Sequence, residues 1–381
     1  MSGDGARAGS GSVSGDGFTT SPPSARPSAS SGPSSPPEPG AAAVHVITGK
    51  GGTGKSTIAG ALSLRLAADG GRVLLVETEG RPAVAATLGL ATFPRSPEKV
   101  ASASGGGEVH ACSLDAEAVL EDYLSSNVGS SLAIAAARKF GVTEFATAIA
   151  PGLRDVLLSG FIVAEARRGG WSAVVVDAPP TGRVARFLDV TRALGDIATS
   201  GPIHRQATDT AAFLRSGSTR VHMVTLAEPL PVRESLESLD ELAEANLPLG
   251  SVVANRLLDD DLCDAALSLR HDDVTAIART LDPGEDAGDG TSSSNQTPDP
   301  ADDAGDGTSS SNQTLTTALL TELDDVAARA RIQRRSLTEL ADDWPHPITR
   351  IPALPGGVRI ESLYDIADLL TGLDHREVPN A

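Results

Sequence analysis

Between Gly49 and Thr57 the chain reads GKGGTGKST, a stretch that constrains everything around it. Gly49, Gly54, Lys55 and Ser56 satisfy the spacing G-x-x-x-x-G-K-[ST], which works only where a β-strand runs into an α-helix. Both flanks fit. Val44 to Thr48 is an apolar, β-branched run, and Ser56 to Ala68 carries helical periodicity that Gly70 and Gly71 would cap. Glycines let backbone N–H groups turn inward around a phosphate, and the helix N-terminus adds partial positive charge.

The loop therefore predicts a cradle for ATP made of Gly49, Gly51, Gly52, Thr53, Gly54, Lys55, Ser56 and Thr57. Lys55 would reach the β- and γ-phosphates, and the Ser56 hydroxyl would ligate Mg2+. Lys50 is not required by the general pattern. It marks the deviant GKGGxGK[ST] loop of the SIMIBI-type class, in which this lysine adds positive charge at the phosphates, often from a facing subunit. Lysine occurs only at Lys50, Lys55, Lys99 and Lys139, so two of the four stand in one loop.

Strand and helix patterns alternate along the rest of the chain. Arg72 to Glu77, Val109 to Ser113, Ala173 to Asp177, Val221 to Thr225 and Ser251 to Asn255 read as buried strands, with Ile348 to Ile351 a weaker one. Ala116 to Ser125, Val232 to Ala245 and Leu315 to Leu340 read as helices. The pattern predicts an α/β fold with a doubly wound, mostly parallel sheet, a P-loop NTPase with its ligand at the carboxyl ends of the strands.

Two strand ends carry carboxylates where a γ-phosphate would lie. The second strand runs into ETEGRP, presenting Glu77 and Glu79. Another ends at Asp177 and continues as DAPPTGRVARFL, in which Pro179, Pro180 and Gly182 shape a loop able to respond to the γ-phosphate. Lys50, Lys55, Glu79 and Asp177 are the catalytic candidates, with Ser56 and Asp177 the metal candidates.

Low-complexity sequence bounds the domain. Residues 1–42 are dominated by Ser, Gly, Pro and Ala and are expected to form a disordered tail. Residues 43–381 are expected to form one P-loop domain, interrupted at about 283–314 by an acidic linker in which DAGDGTSSSNQT occurs twice, from Asp286 and again from Asp303. The repeat lacks the bidentate Glu of a calcium loop.

Composition removes other classes. The 381-residue chain has a formal net charge of -19, which repels phosphate backbones and anionic lipid, so neither nucleic-acid binding nor stable membrane insertion is expected. Cys112 and Cys263 are the only cysteines. They form neither a disulfide framework nor a zinc pair, and a cytoplasmic location is expected.

The chain resembles the ArsA and Get family, the arsenite-pump and tail-anchored-protein-targeting ATPases. Matching blocks follow in order: GKGGTGKST, VLLVETE, HACSLDAEAVLEDYL, VVVDAPPTGRVARFLDV, VTLAEPLPVRESLESLDEL, SVVANRL and a final ITRIPALPGGVRIESLYDIADLL. The resemblance implies a homodimer that opens and closes with ATP hydrolysis and acts on a protein partner or client. In it Lys50 is the intersubunit lysine, Glu79 takes the place of a water-orienting Asp, and Asp177 is the second-switch carboxylate. Asn255 reads the adenine ring, and Pro352 lines the base pocket.

There are departures. Glu79 is one methylene longer than the family's Asp, and Arg183 stands where the family has His. The shared-zinc Cys-x-x-Cys is missing, and the cysteines that bind arsenite have no matching positions. Only one phosphate loop is present, and Met1 and Met223 are the only methionines, too few for the Met-rich groove that a transmembrane client needs. A ParA- or MinD-like positioning ATPase shares the loop but needs basic DNA- or membrane-binding surfaces. A non-hydrolysing nucleotide sensor is the remaining alternative.

Overall fold

A computed structural model describes residues 35–80, 83–115, 153–190, 202–281 and 307–373, together with residues 33 and 119. Its centre is one eight-stranded sheet. The strands are β1 (Ala43–Gly49), β2 (Arg72–Glu77), β3 (Glu98–Ser102), β4 (Glu108–Ser113), β5 (Ala173–Asp177), β6 (Thr219–Leu226), β7 (Leu249–Leu257) and β8 (Ile348–Pro352). They lie in the order β3-β4-β2-β5-β1-β6-β7-β8. Every pairing is parallel except β3 with β4. The expected doubly wound, mostly parallel sheet is thus observed.

Alternation along the strands explains why both faces are covered. Val44, Val46, Leu74, Val76, Val174 and Val176 point into one core. There they meet α3 (Leu153–Arg168), α4 (Thr181–Leu188), α5 (Pro202–Leu214) and α6 (Pro229–Glu244) through residues such as Ile162, Phe187, Phe213 and Leu239. Ile47, Val73, Leu75 and Val175 point to the other core, where α1 (Lys55–Ala67) and α10 (Ile360–Leu369) bring Ile58, Leu62, Leu363 and Ile366. Between them come the short α2 (Ala83–Thr87), α7 (Asp260–Ser268), α8 (His271–Leu281) and the long α9 (Gly307–Asp343).

Three differences from the sequence reading have physical causes. The strand β3 was not expected, because EKVAS is neither apolar nor alternating. It is an antiparallel edge strand whose exposed Glu98 and Lys99 suit an edge that must not recruit another chain. The acidic linker was expected to extend to residue 314, yet α9 already begins at Gly307, inside the second repeat copy. Once Leu315 onward nucleates a helix, extending it through polar residues costs little. The first repeat copy lies outside the described residues, as does nearly all of the helix expected at Ala116 to Ser125.

The third difference concerns the amino-terminal segment. It is tied to the sheet before residue 42. Ser35 pairs with Ser216 as an isolated bridge, the Glu38 N–H donates to Ser218 Oγ at 2.7 Å, and Arg167 binds the Glu38 carboxylate at 2.8 Å. A proline-rich composition hides such contacts because they lie in backbone geometry and one acidic side chain.

Candidate functional site

The loop after β1 opens at the middle of the sheet, where β1 is flanked by β5 on one side and β6 on the other. Glycine is required at two of its positions. A Cβ on Gly49, at φ +152°, would collide with the Val224 carbonyl of β6, and one on Gly54, at φ +92°, would meet the Asn255 amide. The loop closes on the Lys50 carbonyl, which accepts from Thr53 Oγ1 at 2.9 Å and from Lys55 Nζ at 3.3 Å. Lys55 is buried, whereas Gly51 and Gly52 form the exposed crest.

The two lysines of the loop occupy different surroundings. Lys55 begins α1 and lies close enough to Asp177 to act on it electrostatically. The Lys50 side chain is 37% exposed and pairs with Glu234 of α6 at 3.2 Å. Nothing in the sequence signals that pair, since its members are 184 residues apart and α6 reads as an ordinary amphipathic helix.

On the β2 and β5 side the strand ends interlock. Thr78 Oγ1 donates to the Asp177 carbonyl at 2.8 Å, and Thr48 Oγ1 donates to the Pro179 carbonyl at 2.9 Å. These bonds join the end of β1 and both expected switch segments into one surface. Glu77 is buried and works as a bracket: it accepts the Glu79 N–H at 2.9 Å and the Ser113 hydroxyl at 2.5 Å. Glu79 in turn pairs with Arg183 Nη1 at 3.1 Å.

Asp177 sits at the end of β5 with its carboxylate hydrogen-bonded to Ser56. Burial pushes its carboxyl up to about 6, against the opposing pull of the Ser56 hydrogen bond and of Lys55. A buried carboxylate held on the Ser56 hydroxyl is a pair of hard oxygen donors, the set that suits Mg2+. The Thr181 hydroxyl, in the first turn of the helix that follows, is buried and has no hydrogen-bond partner among the described residues. The residues present therefore fit a magnesium–nucleotide ligand.

The β7 and β8 side is built differently. Asn255 Nδ2 donates to the Thr53 carbonyl at 2.8 Å, and its Oδ1 accepts the Arg256 N–H at 2.9 Å. An amide nitrogen carries two hydrogens, so the contact to Thr53 occupies one of them. Beside it lies a pocket of about 280 Å³ lined by Gly54, Thr57, Asn255, Ile351, Pro352 and Val358. Arg256, in the left-handed region at φ 57°, stands at its rim.

ATPase BagA from Mycobacterium tuberculosis is 40% identical to this chain over 338 residues, covering 86% of this chain and 92% of the relative. The profile of the anion-transporting ATPase family matches residues 43–200. The chain belongs to the ArsA family. ATPase GET3 from Rhodotorula glutinis is a more distant match, 23% identical over 245 residues that cover 56% of this chain and 69% of that protein.

This ArsA-family protein is an ATPase, and ATP binding follows from that membership. The structure places Lys50, Lys55, Ser56, Glu79 and Asp177 on the loop after β1 and at the neighbouring strand ends, and Asn255 and Pro352 beside the pocket at the β7 and β8 side. Sequence reasoning missed the connecting residues Thr48, Ser113, Glu234 and the bracketing role of Glu77. A signal existed for Thr48 and Thr78, each a hydroxyl directly following an apolar strand run. Among the described residues no helix is long and apolar enough to cross a membrane.

Proposed function

We propose that this ATPase is a homodimeric switch that closes on ATP and magnesium, reopens after hydrolysis, and passes the change to a protein client in the cytoplasm. The observation that carries the reading is the placement of the two lysines. Lys55 is buried at the start of α1, while Lys50 of the same loop is half-exposed and held by Glu234 of α6, which leaves it available to a second subunit. In the closed dimer Lys50 exchanges Glu234 for a phosphate of the partner and stabilises the charge that develops during transfer, as an arginine finger does.

Ser56 and Asp177 would hold magnesium, Asp177 through water. Bound there, the ion neutralises phosphate charge that grows in the transition state. Glu79 orients the attacking water. That water attacks the γ-phosphorus, the bond to the ADP oxygen breaks, and the water's proton leaves with the phosphate. Asn255 and Pro352 hold the adenine, the amide by a hydrogen bond and the ring of Pro352 by contact.

Because Glu77, Thr78, Asp177 and Pro179 are hydrogen-bonded into one surface, a γ-phosphate contact at either switch segment is felt at both. The test is sedimentation velocity of the full chain with magnesium. The expected result is a monomer with ADP and a dimer with a non-hydrolysable ATP analogue; a monomer in both nucleotides would overturn the proposal.

A further inference from the structure

Glu79, after β2, and Arg183, in the first turn of α4, touch across the two strand-end segments beside the phosphate loop. Glu79 Oε1 lies 3.1 Å from Arg183 Nη1, although 104 residues separate them. A glutamate has one more rotatable bond than an aspartate, so a carboxylate on that stem samples more positions unless something holds it. We propose that Arg183 is the positioning residue for Glu79, fixing the longer carboxylate where it can orient the attacking water.

The surroundings support a positioning role rather than a passive surface contact. The Glu79 side chain is 13% exposed, so solvent screens its end of the pair only partly. Its backbone is already fixed, because the Glu79 N–H is bound by Glu77 and Glu77 is bound by Ser113. The guanidinium adds a restraint on the side chain itself. Arg183 is itself anchored: its N–H donates to the Pro180 carbonyl at 2.8 Å, inside the first turn of α4. Asp155 of α3 lies near enough to Arg183 to interact with it electrostatically.

A planar guanidinium suits this work better than an ammonium, since its donors are set in a rigid fork. A carboxylate also has several acceptor positions, so it can receive the guanidinium and a water together. The pair bridges the segment after β2 and the segment after β5, which makes water placement depend on both switch segments being in register.

This inference rests on the reading of Glu79 as the water-orienting group, and the experiment separates the two. Steady-state ATP turnover of the full chain is measured for Glu79→Ala, Arg183→Ala, Arg183→Lys, Glu79→Asp, Arg183→His and the Glu79→Asp/Arg183→His double variant. Glu79→Ala is expected to abolish turnover; if it keeps the wild-type rate, the Glu79 reading and this inference both fall. Arg183→Ala is expected to lower kcat about tenfold to a hundredfold with KM for ATP within about twofold, the signature of lost orientation. Arg183→Lys should recover part of that loss.

The double variant, which shortens both members of the pair, should turn over faster than either of its single parents. An inactive Glu79→Ala beside an Arg183→Ala of unchanged kcat would overturn the positioning role alone. So would a purely additive double variant. If Arg183→Ala fails to fold, the lysine and histidine variants carry the same decision.

Discussion

The two sides of the phosphate loop solve opposite problems with the same strand-end framework. On the β2 and β5 side, Glu77, Thr78 and Asp177 are all buried, and hydrogen bonds join Thr78 to the Asp177 carbonyl, Asp177 to Ser56, and Glu77 to Ser113 and Glu79. On the β7 and β8 side only Asn255 is buried among the polar lining, and Arg256, Pro352 and Val358 line the pocket exposed. Charge that must act on a phosphate has to be placed before the ligand arrives, because a mobile dipole gives back in reorganisation what it offers in attraction. A purine ring needs only a shaped apolar slot and one or two hydrogen bonds. In the proposed arrangement, the tight side answers the demands of a phosphate and the open side those of a purine.

The largest expected effect lies where both sides meet. Gly49→Ala would drive a Cβ into the Val224 carbonyl of β6, a backbone atom with no rotamer to yield. A loss of about 3 kcal/mol is expected in urea unfolding, with nucleotide binding lost as well. If Gly49→Ala were as stable as the wild type, the loop would not be fixed by its neighbour strand, and the comparison would lose its common reference.

The next effect concerns the β1, β6 and β7 strands beneath the loop and is read through pH. His45 Nδ1 and His222 Nε2 lie 3.1 Å apart across β1 and β6, and the Ser251 N–H of β7 donates to His222 Nδ1 at 3.1 Å. With Nδ1 accepting, the His222 hydrogen sits on Nε2 and points to His45. Burial first, then the nearby His45 and Arg220, hold His222 well below its ordinary value of 6.5. The unfolded chain then takes up a proton that the folded chain refuses, so stability contributed by this group is present above pH 6.5 and is lost as pH falls below it. Melting without nucleotide should drop on acidification, and His222→Phe should flatten that slope. An unchanged slope would remove the pair from the account of this half of the sheet.

A smaller effect tests whether Asn255 belongs to the loop as well as to the base. Removing its amide in Asn255→Ala leaves the Thr53 carbonyl without this donor. The expected cost is about 1–2 kcal/mol in stability, together with a higher KM for ATP. If stability fell while KM stayed fixed, Asn255 would serve the loop alone and the open side would have no polar reader.

How much of this could be read from the sequence depends on the range of the interaction. Runs such as Arg72 to Glu77 and Ala173 to Asp177 gave strands with the observed bounds, because a strand buried on both faces announces itself in every residue. The phosphate loop is local in the same sense: its glycines and lysines are neighbours in the chain. The contacts that tune it are not. Glu234 is one of several acidic residues on an exposed helix face, and only the assembled sheet selects it for Lys50. Arg183 and Glu79 could each be seen to depart from the family pattern, but that the two departures meet is a fact of three-dimensional placement. The polar strand β3 and the helical part of the second repeat were hidden for a third reason: their residues have weak local preferences, and the neighbouring elements decide for them.

The smallest stability effect is predicted for Glu234→Gln, which breaks the ion pair with Lys50. Both side chains are about a third exposed, so solvent screens the pair, and folding should change by well under about 1 kcal/mol. The dimer, however, should form at a lower concentration of ATP analogue, since Lys50 no longer has to leave a carboxylate. Unaltered dimerisation would mean that the pair does not compete with closure.

Magnesium-dependent ATP turnover of Lys50→Ala and Asp177→Ala, measured beside nucleotide binding, tests most directly the claim that this is a two-lysine phosphate loop working with a buried carboxylate. Both variants are expected to lose turnover by about a hundredfold or more, with Lys50→Ala still binding ATP. Wild-type turnover by Lys50→Ala would contradict the account, because the outer lysine would then take no part in phosphoryl transfer.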